Sequence, residues 1–161
     1  MIGADNQQES LDANWIAGFT DGEGCFYVGI NRIEKMTLGW QVLPEFRITQ
    51  HERDFELLTQ IRDFFGFGNV RPNHGDRYDF RVRGLDNLNS IIAFFEEHPL
   101  RSTKRMDFEK FAEIIDMMND GDHLTESGLT QIAHLASEMN DGVTRSYLES
   151  SEAVRQAPGN G

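Results

Sequence analysis

The sequence predicts an α+β domain with elements in the order α-β-β-α-β-β-α-α-α, an αββαββα core followed by two further helices. Three observations carry that expectation. Apolar residues recur at helical spacing at Leu11, Trp15, Ile16 and Phe19. Two-residue alternation follows at 25–32 and 40–50, and again between 69 and 83. Beyond residue 85 the helical period returns, in three amphipathic stretches. A length of 161 residues suits one ordinary domain, and 12 phenylalanines within a 39% hydrophobic composition supply a core.

Residues 11–24, LDANWIAGFTDGEG, read as a helix with an acidic end. Ala13, Ala17 and Gly18 leave room for close approach of another backbone. Gly22 and Gly24 are expected to stop it. In CFYVGINR, Phe26, Val28 and Ile30 form one strand face, and Cys25, Tyr27, Gly29 and Asn31 the other. In WQVLPEFRITQ the apolar face is Trp40, Val42, Phe46 and Ile48, opposite Gln41, Leu43, Glu45, Arg47 and Thr49. Pro44 has no N–H to give a ladder, which predicts an edge position or a bulge. Asp54 to Phe65 is amphipathic, with Phe55, Leu58, Ile61 and Phe65 inward and a stop at the Gly66 and Gly68 turn. NVRP and RYDFRVR flank a turn at His74-Gly75-Asp76, and Tyr78, Phe80 and Val82 alternate with Arg77, Asp79, Arg81 and Arg83. Leu85 to Glu97, Lys104 to Met118 and Ser127 to Met139 complete the helices. The four strands then share one polar, arginine-bearing face, with helices over the other. The domain is expected to run over 11–142, between a flexible N-terminus at 1–10 and a polar, frayed tail at 143–161. No internal repeat is present.

No apolar run reaches 18 residues, and MIGADNQQES is polar and acidic, so neither a membrane span nor a signal peptide is expected. Cys25 is the only cysteine, which excludes an intrachain disulfide. The chain reads as soluble, intracellular, not secreted and without a membrane partner. A net charge of −12 argues against a nucleic-acid partner, because phosphates are neutralised by Lys and Arg. Its distribution weakens that argument. Residues 30–110 hold 13 of the 15 basic side chains against 13 acids, and the surplus of acids lies in the flanks. A neutral centre can still present a basic face.

Ile16 to Gly24, the heart of WIAGFTDGEG, resembles the signature of the LAGLIDADG homing endonucleases residue by residue: an apolar residue, Ala17, Gly18, Phe19, Thr20, Asp21, Gly22, a second acid at Glu23, then Gly24. Four further segments keep the family's order. FRITQ at 46–50 resembles its second strand, FFGFGNV at 64–70 its helix-turn-strand segment, and HPLRSTKRMDFEKF at 98–111 its lysine-bearing segment. LTESGLTQIAHLASEMN at 124–140 is similar to its closing helix. The resemblance covers roughly 11–140. It implies a curved antiparallel four-stranded sheet backed by helices and lying along double-stranded DNA. It also implies a site-specific nuclease that hydrolyses phosphodiesters with a divalent cation, Mg²⁺ or another such as Mn²⁺. With a single motif, the chain is expected to work as a homodimer on a roughly palindromic site.

By the resemblance, Glu23 binds metal, helped by the carbonyl of Gly22. Asp is more usual at that position, so the longer Glu would shift the ion slightly. A solvated helix end is the plainer reading, but acids there oppose the helix dipole. Gln50 and Lys104 match the water-positioning and charge-stabilising positions, against a surface Gln and a solvated lysine; with Glu23 they form the expected catalytic set. Trp15, Ala17, Gly18, Thr20 and Asp21 are assigned to the dimer interface, with Asp21 alternatively capping nearby backbone. Arg47, Arg71, Arg77 and Arg81, with Gln41 and Asn31, are the candidate DNA-binding residues, since Arg and Gln read base edges and Arg holds phosphates. Arg32 and Lys35 join them from the intervening loop. The five histidines show no metal-ligand spacing. Two other functions compete: an RNA-binding maturase with intron RNA as partner, which would not need Glu23, and a catalytically inactive DNA-binding relative.

Overall fold

The computed structural model describes residues 11–140, so the expected N-terminus at 1–10, the tail at 143–161 and the end of the 11–142 domain lie outside the described residues. Helix α1 (Ala13–Glu23) begins at Asp12, whose carboxylate accepts from the N–H groups of Asn14 at 2.7 Å and Trp15 at 3.1 Å. This is the side-chain cap that a helix start needs for its unpaired donors. The helix runs through Gly22 and stops one residue before Gly24, whose N–H closes on the Thr20 carbonyl. There α1 passes without a linker into strand β1 (Gly24–Arg32). A Cβ on Gly24 would lie 2.5 Å from the Thr20 methyl, so the direct turn requires a residue with no side chain.

β1 pairs antiparallel with β2 (Trp40–His51) in one unbroken register from Gly24 opposite Ile48 to Arg32 opposite Trp40. Pro44 faces Val28 without a bulge. β4 (Arg77–Val82) joins the other side of β2 only from Phe46 onward, so the proline occupies a stretch where β2 is locally an edge. β3 (Asn69–Pro72) completes the antiparallel sheet, in the order β1-β2-β4-β3. Between β2 and β3, a 3-10 turn at Glu52–Asp54 leads into α2 (Phe55–Phe65), which ends on Gly66 in the left-handed conformation, φ 82°.

Helices α2, α3 (Leu85–Glu97), α4 (Lys104–Asn119) and α5 (Glu126–Ser137) are each within two residues of their expected bounds. Phe26, Val28, Phe46, Ile48, Phe80 and Val82 form the buried face of the sheet. Phe26 is the hub, with ring centroids of Phe46, Phe95, Phe108 and Phe111 at 5.1–5.8 Å. Truncating such a fully buried ring costs about 3–5 kcal/mol. Phe55 departs from expectation. It is 43% exposed and packs its ring edge-on against Tyr78 at 5.1 Å, on the rim and outside the core. Among the described residues no helix is long and apolar enough to cross a membrane.

Candidate functional site

The end of α1 and the start of α4 meet at the beginning of β1. Asp21 accepts from the backbone N–H groups of Arg101 at 2.9 Å and Ser102 at 3.0 Å, and from the Ser102 hydroxyl at 2.8 Å. Burial pushes this carboxyl's pKa up, but the hydrogen bonds from Ser102 and Arg101, with Lys104 nearby, outweigh it and hold the group below the usual carboxylate value. The expected alternative for Asp21, capping of nearby backbone, is what the geometry supplies. With that segment fixed, Lys104 at the start of α4 donates from Nζ to the carbonyl of Gly24. Glu23, the preceding residue, is exposed, and its carboxylate has no hydrogen bond or ion pair among the described residues.

Gly22 and Glu23 offer hard oxygen donors of the kind that suits Mg²⁺ or Ca²⁺. The Gly22 carbonyl lies beyond the last helical bond, from Gly24 N–H to Thr20, as helix-terminal carbonyls do. These donors fit a hard divalent cation in kind but are too few. Among the described residues no group of three or more His, Cys, Asp or Glu could hold a metal ion. Gln50, half-buried near the end of β2, donates its side-chain N–H to the Thr49 carbonyl. It makes no hydrogen bond to Lys104 or Glu23.

Beside this corner the polar face of the sheet is built in rows. Cys25, Arg47, Arg81 and Asn69 are cross-strand partners in one row, and Thr49, Asp79 and Arg71 in the next. Burial, then repulsion from Arg83 and Arg71, lowers the pKa of Arg81; burial also pushes the Cys25 thiol up. Asn31 and Gln41 face each other near the far end of the β1–β2 pair, where Arg32 lies 5.7 Å over the Trp40 ring. Arg77 is exposed opposite His51, and Lys35 is exposed on the loop before β2. Two acids on this face break the simple alternation. Asp79 is buried, accepting from Thr49 at 2.6 Å and Asn73 at 3.0 Å. Glu45 is buried between Arg47 and Arg83. Arg83 was not among the candidate binding residues, although it shares their alternation.

The face of α1 needs correction. Ala17 is 5% exposed and Thr20 fully buried, so both turn into their own protomer and neither side chain is available to a partner. What α1 leaves outside is Asn14, Trp15, Gly18, Gly22 and Glu23. Trp15 stacks on Phe19 at 4.9 Å, and Cβ atoms built on Gly18 and Gly22 would meet nothing within 4 Å. Small residues lie on both sides of this helix, and spacing alone does not say which side meets the sheet.

The family model described as LAGLIDADG endonuclease matches residues 16–115. A Podospora anserina chain named "Uncharacterized 50.9 kDa protein in ND4 intron 1" is 37% identical over 119 residues, 73% of this chain and 26% of its own. "Probable intron-encoded endonuclease 2" of Neurospora crassa is 32% identical over 147 residues, 89% of this chain and 32% of its own. This chain thus spans about a third or less of these curated relatives. The homing endonuclease I-TnaI superposes with a TM-score of 0.86 at 49% identity, covering 91% of this chain and 100% of that one. The meganuclease I-CpaMI, bound to uncleaved DNA, superposes at 0.85 with 29% identity over 91% of this chain and 50% of its own. I-SmaMI, bound to an uncleaved DNA target in the presence of calcium ions, gives 0.84 at 29% identity over 88% of this chain and 48% of its own. The match in sequence, topology and the α1 signature has one conclusion: the chain belongs to the LAGLIDADG endonuclease family.

Proposed function

We propose that this chain is a site-specific DNA endonuclease of the intron-encoded kind, acting as two copies that break both strands of a long, roughly palindromic duplex. The observation that carries the reading is the corner where exposed Glu23 stands one residue from the Gly24 carbonyl that holds the Lys104 ammonium, beside an arginine-bearing sheet. The DNA-bound I-CpaMI chain, of which this chain covers half, supports a second copy supplying the other half.

In this reading the sheet positions the duplex through Arg71, Arg77 and Arg81, with Asn31, Gln41 and Arg47 reaching base edges and Arg32 and Lys35 the outer backbone. The exposed stripe of α1 packs on its copy, which brings Glu23 and the Gly22 carbonyl of both chains together. A divalent cation bound there, Mg²⁺ or Mn²⁺, supplies charge neutralisation at the phosphoryl oxygens and a water of lowered pKa. Lys104 is held where its charge offsets that developing on the phosphate. Gln50 keeps its side-chain carbonyl, unpartnered among the described residues, to orient a water.

The test is incubation of the protein with a randomised duplex library in Mg²⁺, Mn²⁺ or EDTA. Cuts in both strands at one family of near-palindromic sites, abolished by EDTA, are expected. Retention of one DNA site without cutting would replace the reading with an inactive binder, and retention of structured RNA alone with a maturase.

A further inference from the structure

Glu45 lies on the polar face of the sheet, opposite Tyr27 across the β1–β2 pair, yet it is only 4% exposed. A carboxylate is tolerated under such burial where its charge is matched and its lone pairs are satisfied. Two arginines meet both conditions. Nη1 of Arg47 donates to Oε2 at 2.8 Å, and Nε of Arg83 donates to Oε1 at 2.9 Å. The Arg47 guanidinium also lies over the Tyr27 ring, 5.5 Å from its centroid, a favourable position for a cation.

Arg47 is therefore held from two directions while its side chain stays 35% exposed on the open face. One of its five N–H groups is spent on Glu45, and the rest suffice for the two parallel bonds that guanine N7 and O6 accept. Glu45 does not read a base itself, because both of its oxygens are taken and it is buried beneath the arginines. An arginine free to swing could serve a base or a phosphate equally. A clamped one is committed to one direction and loses less rotamer freedom on binding, so what it contributes falls on the one base edge it faces.

We propose that Glu45 and Tyr27 fix Arg47 as a guanine-reading side chain, making Glu45 the positioning residue for specificity at one base pair of each half-site. The proposal rests on the reading above, that this sheet lies on duplex DNA. The experiment is the library selection repeated with Arg47→Ala, Glu45→Gln and Tyr27→Leu, each checked for folding by thermal melting.

Arg47→Ala is expected to lower the guanine preference at one base pair by at least about fivefold. Glu45→Gln and Tyr27→Leu should weaken it at that same pair and leave the other positions unchanged. Tyr27→Leu carries the test alone if Glu45→Gln does not fold. A wild-type profile in both clamp variants, or a loss spread evenly over all positions, would overturn the clamp while leaving the endonuclease standing. A wild-type protein that selects no DNA site would overturn both.

Discussion

The carboxylate of Asp21 ties the end of α1 to backbone 80 residues further along, and so decides where α4 begins and where Lys104 sits. Its folded-state pKa is depressed, with the hydrogen bonds from the 101–102 segment overcoming the effect of burial. The linkage sign follows. The carboxylate contributes stability fully above its unfolded pKa, near 3.8, and that contribution fades as the pH falls through the lower folded value. Asp21→Asn should therefore lower the melting temperature at pH 7, and the gap from wild type should close as acid protonates the native carboxyl; melting curves from pH 7 to well below pH 3.8 check this. Neither partner of Asp21 was legible from the sequence, since spacing along a chain does not reveal a contact between residues 21 and 101–102. The same holds for Glu45, whose alternation placed it among solvent-facing residues. An ion pair with Arg83, 38 residues away, buries it instead.

In the proposed dimer helix α1 would serve two packing demands at once, and its glycines answer to them in different ways. Gly24 is required by the protomer itself, because an added methyl would sit 2.5 Å from Thr20 Cγ2 and 3.0 Å from the Thr20 carbonyl. Gly24→Ala is expected to cost about 1–3 kcal/mol in chemical denaturation. Gly18 is open in one copy, so its size constraint belongs to the proposed partner. Gly18→Leu should retain a folded monomer by circular dichroism, shift sedimentation from dimer to monomer and remove cleavage; an unchanged dimer would show that this stripe is not the contact. Strands and helices were readable because period 2 and period 3.6 run along most of their length, down to the turn at Gly66, with Glu45, Asp79 and Phe55 as the departures. The orientation of α1 was not, because Ala17 and Gly18 are both small and only the sheet beneath decides which is buried. Pro44 was readable as a disturbance of the ladder, but its resolution depends on where β4 ends, a property of the pairing rather than of β2.

At the scale of the whole molecule, a chain of net charge −12 gathers Arg47, Arg71, Arg77 and Arg81 on one sheet face with Arg83 beside them, where Glu45 is paired with Arg47 and Arg83 and Asp79 accepts from Thr49 and Asn73. Total charge therefore misleads about the surface that matters. The fold class was legible because the signature and the ordered segments after it point to one topology; the Lys104 ammonium meeting the Gly24 carbonyl, one residue from Glu23, was not. How the exposed face of α1 and the sheet acids are arranged required three-dimensional contacts. Arg77, exposed at the rim opposite His51, is assigned to phosphate. Arg77→Ala should weaken binding about equally across sites and reduce the salt dependence of affinity by roughly one unit of slope, measured by a salt titration. The central claim is that Glu23 is the acid through which the chain cuts DNA. It is tested most directly by comparing wild type and Glu23→Gln on the selected site, in single-turnover cleavage with Mg²⁺ and in DNA retention. Cleavage slower by at least about 100-fold with retention preserved is the expected result. Cleavage at the wild-type rate would contradict the account, because the metal-binding acid would then have to lie elsewhere.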